Sequence, residues 1–252
     1  MVNVKDKINI RGLIRQLKRK GYVVYDKPYQ LNIVGVRSDN TKPNKFDDLI
    51  YVFWKTNTGR WKGKAYPATT DPGTYYLGSR MGSKLGTAIL KEGQYKDVYE
   101  IDKHNGKYLA LCQRNGPVTV YRDYDRDAIL DFNNGRETTG SNYGINIHKA
   151  TYATSGHVRT GVGEWSAGCQ VFQKVDDFNE FMKMAQKQKE LYGNKFTYTL
   201  IDERAYVRAI KRRGVYLLIG LVTVASYVGI RTYRNKSIIP KAIKNAFKKG
   251  RK

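Results

Sequence analysis

Between residues 22 and 120 the apolar residues come in short runs, each cut by a turn-forming cluster before a helix of ordinary length could form. The runs at 29–36, 49–54, 73–77, 108–112 and 118–121 are mostly rich in Val, Ile, Leu, Tyr and Trp, whose branching or bulk suits a pleated surface. Ser38-Asp39-Asn40, Asn57-Thr58-Gly59, Asp71-Pro72-Gly73, His104-Asn105-Gly106 and Asn115-Gly116-Pro117 separate them, and all carry residues that reverse the chain cheaply. Short strands spaced this way, with no internal repeat, predict a twisted, mostly antiparallel sheet or a partly closed barrel. The 20 Tyr and 8 Phe supply the bulk for a core, which excludes a wholly disordered chain.

Helical periodicity appears on both sides of this region. Ile8, Ile10, Leu13, Ile14 and Leu17 alternate with Arg11, Arg15 and Lys18, which predicts a short basic amphipathic helix ending near Gly21 and packed on the body. Val175-Asp176-Asp177 opens a second helix with charges that suit the positive end of its dipole. Phe178, Phe181, Met182, Ala185 and Leu191 form its apolar stripe, Gly193 stops it, and 196–201 alternates as a last strand. The fold class is therefore mainly β with one or two helices (α+β).

Charge divides the chain. Of 46 Lys and Arg and 22 acids, every acid lies at or before Glu203, and 14 cations follow with none to balance them. Residues 214–230 carry no charge and have basic residues just outside both ends, the pattern of a membrane-crossing helix. From 231 to 252, Ile238, Ile239, Ala242, Ile243, Ala246 and Phe247 recur at helical spacing among cations, as on an anionic lipid surface or a nucleic-acid-binding arm. The expected organisation is a basic helical segment (1–28), a main domain (29–203), a basic linker (204–213), a transmembrane helix (214–230) and a basic tail (231–252). Residues 1–7 are polar and lack the apolar stretch of a secretory signal.

Two cysteines, Cys112 and Cys169, exclude a disulfide-rich scaffold and a four-cysteine zinc module. Cys169 is the chemically suggestive one. A thiol becomes a nucleophile when a base takes its proton, and histidine is the usual base. His148 ends one short strand segment, Asn146-Ile147-His148, and Cys169 stands at the end of another behind Trp165-Ser166-Ala167-Gly168. Glycine before the cysteine allows a tight turn whose N–H groups can meet an oxyanion.

A histidine, 17 intervening residues and then Ser166-Ala167-Gly168-Cys169 resembles the motif of the YkuD-type L,D-transpeptidases. Ala68-Thr69-Thr70-Asp71-Pro72-Gly73 is loosely similar to that family's Thr-Pro-x-Gly region, and the β-rich layout over 31–201 is similar too. Two positions depart: the family's histidine before Gly-Cys is Ala167, and its Asn or Arg two places after the cysteine is Val171. Both departures bear on substrate binding more than on the nucleophile–base pair.

The resemblance implies a twisted-sheet catalytic domain with Cys169 as nucleophile, His148 as base and the Lys149 carbonyl orienting the imidazole. It assigns the N–H groups of Gly168 and Cys169 to an oxyanion hole and places Ser166, Trp165 and Gln170 at the substrate rim. The implied reaction is acyl transfer on peptidoglycan stem peptides through a thioester, to an amine or to water, with no cofactor. The implied location is a membrane facing the cell wall, or a virion for a phage-encoded chain. The alternative is a non-catalytic wall-binding or virion structural protein with a lipid- or DNA-binding tail.

Other motifs are weaker. Asp123, Asp125 and Asp127 have calcium-loop spacing, but Ala128 replaces the required Gly and Asn134 the required Glu, so an acidic turn is expected. His148, His157 and Cys169 match no defensible zinc spacing. Cys112, within an apolar run, is expected to be an inert buried thiol.

Overall fold

The computed structural model describes residues 9–78, 83–132 and 136–202. Its frame is mainly β. Eight strands are hydrogen-bonded in the order β1-β11-β5-β6-β9-β10-β3-β2, and β2 returns to β1. They are β1 (Asn32–Arg37), β2 (Asp48–Lys55), β3 (Trp61–Thr69), β5 (Gly93–His104), β6 (Tyr108–Gln113), β9 (Ile147–Lys149), β10 (Gln170–Phe172) and β11 (Phe196–Asp202). The ring is uneven. β2 and β3 match along their whole length from Asp48↔Ala68 to Lys55↔Trp61, whereas β6 and β9 share the single registered pair Leu111↔Ile147. A separate three-stranded sheet, β4 (Thr87–Leu90), β7 (Val118–Asp123) and β8 (Glu137–Gly140), lies in the order β4-β7-β8. Most pairings are antiparallel; β1 with β11 and β9 with β10 are parallel.

Three helices accompany the strands among the described residues. In α1 (Ile10–Arg19) the Asn9 side chain accepts the Arg11 N–H at 2.9 Å, Lys18 and Arg19 complete the last turn, and Leu13 and Leu17 are buried. Gly63 is a contact point for this helix, since a Cβ there would meet the Tyr51 hydroxyl and the Ile10 side chain. α3 (Val175–Tyr192) buries Phe178, Phe181, Met182 and Ala185 against the main core, where the Phe172 and Phe181 rings lie 5.0 Å apart. Burying each such ring is worth about 1.5–3 kcal/mol.

Leu191, expected on that apolar stripe, is 50% exposed. Gln188 is buried in the same turn instead, accepting the Leu31 N–H at 2.7 Å and donating to the Lys195 carbonyl at 3.1 Å. An amide serves better there because it satisfies two backbone groups that leucine would orphan.

The run 73–77 is a further correction. It is the short helix α2 (Thr74–Leu77), not a strand, because Gly73 directs its carbonyl to the N–H groups of Tyr76 and Leu77. Its own N–H donates to the Ser166 carbonyl at 2.9 Å, so it is taken out of the sheet by the loop before Cys169. Asp123, Asp125 and Asp127 make the expected turn after β7: their carboxylates accept the N–H groups of Asp131, Asp127 and Ile129. None of the described helices is long and apolar enough to cross a membrane. The expected hydrophobic helix at 214–230 and the basic tail at 231–252 lie outside the described residues.

Candidate active site

β9 and β10 run parallel, with Gln170 registered on Ile147 and Val171 on His148. Residues two apart on a strand share a face. Cys169, just before β10, therefore lies on the face of Asn146 and His148, one step along the sheet. Backbone bonds fix this: Gln170 N–H donates to the Asn146 carbonyl at 2.8 Å, and the Asn146 N–H points at Cys169 Sγ at 3.4 Å. His148 and Cys169 line one cavity of about 670 Å³, together with His104, Asn146, Trp165 and Ala167.

The turn that presents the thiol is tightly built. Gly168 has φ +119°, and a Cβ there would run into the Ala88 carbonyl, so only glycine fits. Ser166 is fully buried; its hydroxyl donates to the Cys169 carbonyl at 2.9 Å and accepts the Gly168 N–H at 3.2 Å. Gln170 is buried as well, with Nε2 on the Thr70 and Gly168 carbonyls and Oε1 receiving the Tyr198 hydroxyl at 2.7 Å. Ser166 and Gln170, expected at the substrate rim, are instead the inner braces of the turn. The Gly168 N–H, expected in an oxyanion hole, is committed to Ser166.

Behind the turn stands a buried charge network. Arg37 pairs with Asp71 at 2.9 Å and Glu92 at 2.8 Å and donates to the Thr70 and Leu90 carbonyls. Asp48 accepts the Thr70 N–H at 2.6 Å and its hydroxyl at 2.7 Å. The segment Thr70-Asp71-Pro72-Gly73 is thereby pinned, and Gly73 holds Ser166.

His148 is 2% exposed, and its Nδ1 lies 2.9 Å from the Lys149 carbonyl. A carbonyl only accepts, so Nδ1 carries the proton and Nε2 keeps a free lone pair. The Lys149 carbonyl thus holds the Nδ1–H side of the ring. Tyr108 O–H donates to the same carbonyl at 3.1 Å. Burial, then the neighbouring His104, pushes the His148 pKa down to about 3. Burial pushes the Cys169 thiol up to about 11, against the lowering effect of the Asn146 N–H. The resting pair is thus a neutral thiol and a neutral imidazole. Cys169 Sγ–H donates to the Gly144 carbonyl at 3.3 Å, so the thiol proton points away from the imidazole in this state.

Trp165 lines the cavity, tilted 66° against Tyr152 at 5.0 Å, and its buried indole N–H has no hydrogen-bond partner among the described residues. Ala167 is exposed beside it. Cys112 is fully buried and donates to the Asp102 carbonyl at 3.5 Å. His157 is not among the residues lining the cavity. Among the described residues no three His, Cys, Asp or Glu side chains converge as a metal site.

Two members of the site carry no signal in the motif: His104, which reads as part of a turn, and Tyr108. His104 stacks on His148 with centroids 4.1 Å apart and planes 19° apart. The available signal was scarcity, since the chain has only 3 histidines. No protein-family model, curated protein or solved structure matches this chain.

Proposed function

We propose that this chain is a cysteine-dependent acyl-transfer enzyme. The observation that carries the reading is the His148 tautomer: with Nδ1–H held by the Lys149 carbonyl, Nε2 keeps its lone pair, and His148 lines the same cavity as Cys169. Among such enzymes the motif argues for an L,D-transpeptidase-like activity on peptidoglycan stem peptides.

Rotation of the thiol off the Gly144 carbonyl brings its proton to His148 Nε2. The thiolate attacks the substrate carbonyl carbon, and the oxyanion forms beside the Cys169 N–H, the donor that Ser166 leaves free. Collapse expels the amine, which takes the proton from Nε2–H, and a thioester remains on Sγ. Water or an acceptor amine, deprotonated by the same Nε2, then releases the acyl group. Trp165 and Tyr152 offer an aromatic wall for the stem peptide. The basic residues at 231–252, behind the uncharged run at 214–230, hold the enzyme at an anionic membrane.

The thiol's resting bond to Gly144 favours one other reading, a wall-binding protein that retains the fold without turnover. Incubation with tetrapeptide-bearing peptidoglycan separates the two. Cleavage or exchange products lost in both Cys169→Ala and His148→Ala support the enzyme, with the double variant little worse than either because the pair acts as a unit. Products undiminished in Cys169→Ala contradict it. Co-sedimentation with anionic vesicles that persists at high salt supports the membrane assignment, and complete release by salt contradicts insertion of 214–230.

A further inference from the structure

We infer that His104, at the end of β5, is a positioning residue whose ring closes one face of His148 and fixes its Nε2 toward Cys169. The inference rests on the proposed role of the Cys169–His148 pair.

Its geometry is over-determined. Gln113 N–H donates to Asn146 Oδ1 at 2.9 Å, which orients that amide and turns Nδ2 toward His104 Nδ1 at 3.1 Å. With its oxygen taken by Gln113, the Asn146 amide can only donate to His104 Nδ1, so Nδ1 is the acceptor, the ring proton sits on Nε2 beside the Asn105 amide, and the ring is neutral. The same Asn146 points its backbone N–H at Cys169 Sγ. One residue thus ties the His104 ring to the nucleophile, while the ring itself lies flat on the base. His104 is 8% exposed, so this contact shields the His148 face from water.

Every element around the pair contributes polar or charged groups: Lys103 and Asn105 beside His104, Tyr108 on β6 and Arg114 after it, Asn146 and Lys149 on the β9 side, and Glu164 on the turn at Gly163–Trp165. Arg114 is already paired with Asp102 at 2.8 Å. Among the described residues no acid acts on His104 as a countercharge, and burial, then Arg114, lowers its pKa to about 4.

The test uses the full chain with His104→Ala, His104→Gln and His104→Phe. Glutamine keeps an acceptor for Asn146 but no ring, and phenylalanine keeps the ring but no acceptor. Alanine and glutamine should each lower kcat about 100-fold with KM little changed, the scale of a misplaced catalytic group. Both should also raise the acidic limb of the kcat/KM profile by about one unit or more, because water reaches His148. Phenylalanine should restore most of kcat and the wild-type acidic limb. Equal losses in all three variants with an unmoved pH profile would overturn the inference, as would wild-type kinetics in His104→Ala. NMR titration of the His148 ring supplies a readout that needs no turnover. His148 should protonate at higher pH in the alanine variant than in the phenylalanine variant, and identical titrations overturn the inference. An inactive wild-type protein would count against the proposed reaction, while this titration would still decide the role of His104.

Discussion

Replacing His148 with glutamine removes a buried titrating group while keeping an amide N–H for the Lys149 carbonyl, so it isolates what the neutral imidazole does to stability. An unburied imidazole has a pKa of 6.5, and burial lowers that of His148 to about 3. Between those values the unfolded chain binds a proton that the native state refuses. The stability tied to the neutral ring is therefore complete above pH 6.5 and is lost progressively as pH falls toward the folded value. From 6.5 to about pH 4.5 the loss is two units at ~1.4 kcal/mol each, or about 3 kcal/mol. Urea denaturation followed by tryptophan fluorescence, at about pH 7 and about pH 4.5 at one ionic strength, measures it. Buried carboxylates titrate in both proteins and cancel in the comparison. Wild type should lose about 3 kcal/mol more than His148→Gln on acidification, to within the usual factor of two for such linkage. An equal loss in both would refute the claim that His148 is held neutral by burial.

Three further outcomes follow from the site. With His148 at about 3 and Cys169 at about 11, kcat/KM should be level across the neutral range, measured as product formation against pH; a bell centred near neutrality would mean a thiolate–imidazolium pair instead. Ser166→Ala should cost about 1–3 kcal/mol in urea denaturation by orphaning the Cys169 carbonyl and Gly168 N–H, and should lower kcat through the displaced turn. Arg37→Met should destabilise by about 3–5 kcal/mol, since buried Asp71 would lose its ion-pair partner, and its thermal unfolding would show it directly.

The sheet was legible where a short apolar or alternating run is bounded by turn residues, as in β2, β6 and β11. It was hidden elsewhere for identifiable reasons. β3 begins Trp61-Lys62-Gly63-Lys64, where exposed lysines mask the alternation that Tyr66 and Ala68 continue into the core. β5 contains Asp97 at φ +57°, and its register with β11 shifts between Phe196 and Tyr198, so its period-2 pattern breaks midway. β9 and β10 are three residues each, too short for any periodicity to speak. At the site, His148 and Cys169 line one cavity, and the Lys149 carbonyl lies 2.9 Å from His148 Nδ1. Ser166 and Gln170 were misread because a polar residue beside a nucleophile looks like a substrate contact until its burial is known. His104 was invisible because stacking between strands distant in sequence leaves no local pattern.

The central claim is that Cys169 is a nucleophile served by His148, and acylation by a carbapenem, an acyl-enzyme-forming mimic of the stem peptide, tests it most directly. Intact-mass spectrometry of the full chain should show a single adduct, mapped by peptide digestion to Cys169, absent in Cys169→Ala, greatly slowed in His148→Gln and unaffected in Cys112→Ala. An unchanged mass under conditions that fully label a control L,D-transpeptidase, or an adduct that persists in Cys169→Ala, would contradict the account.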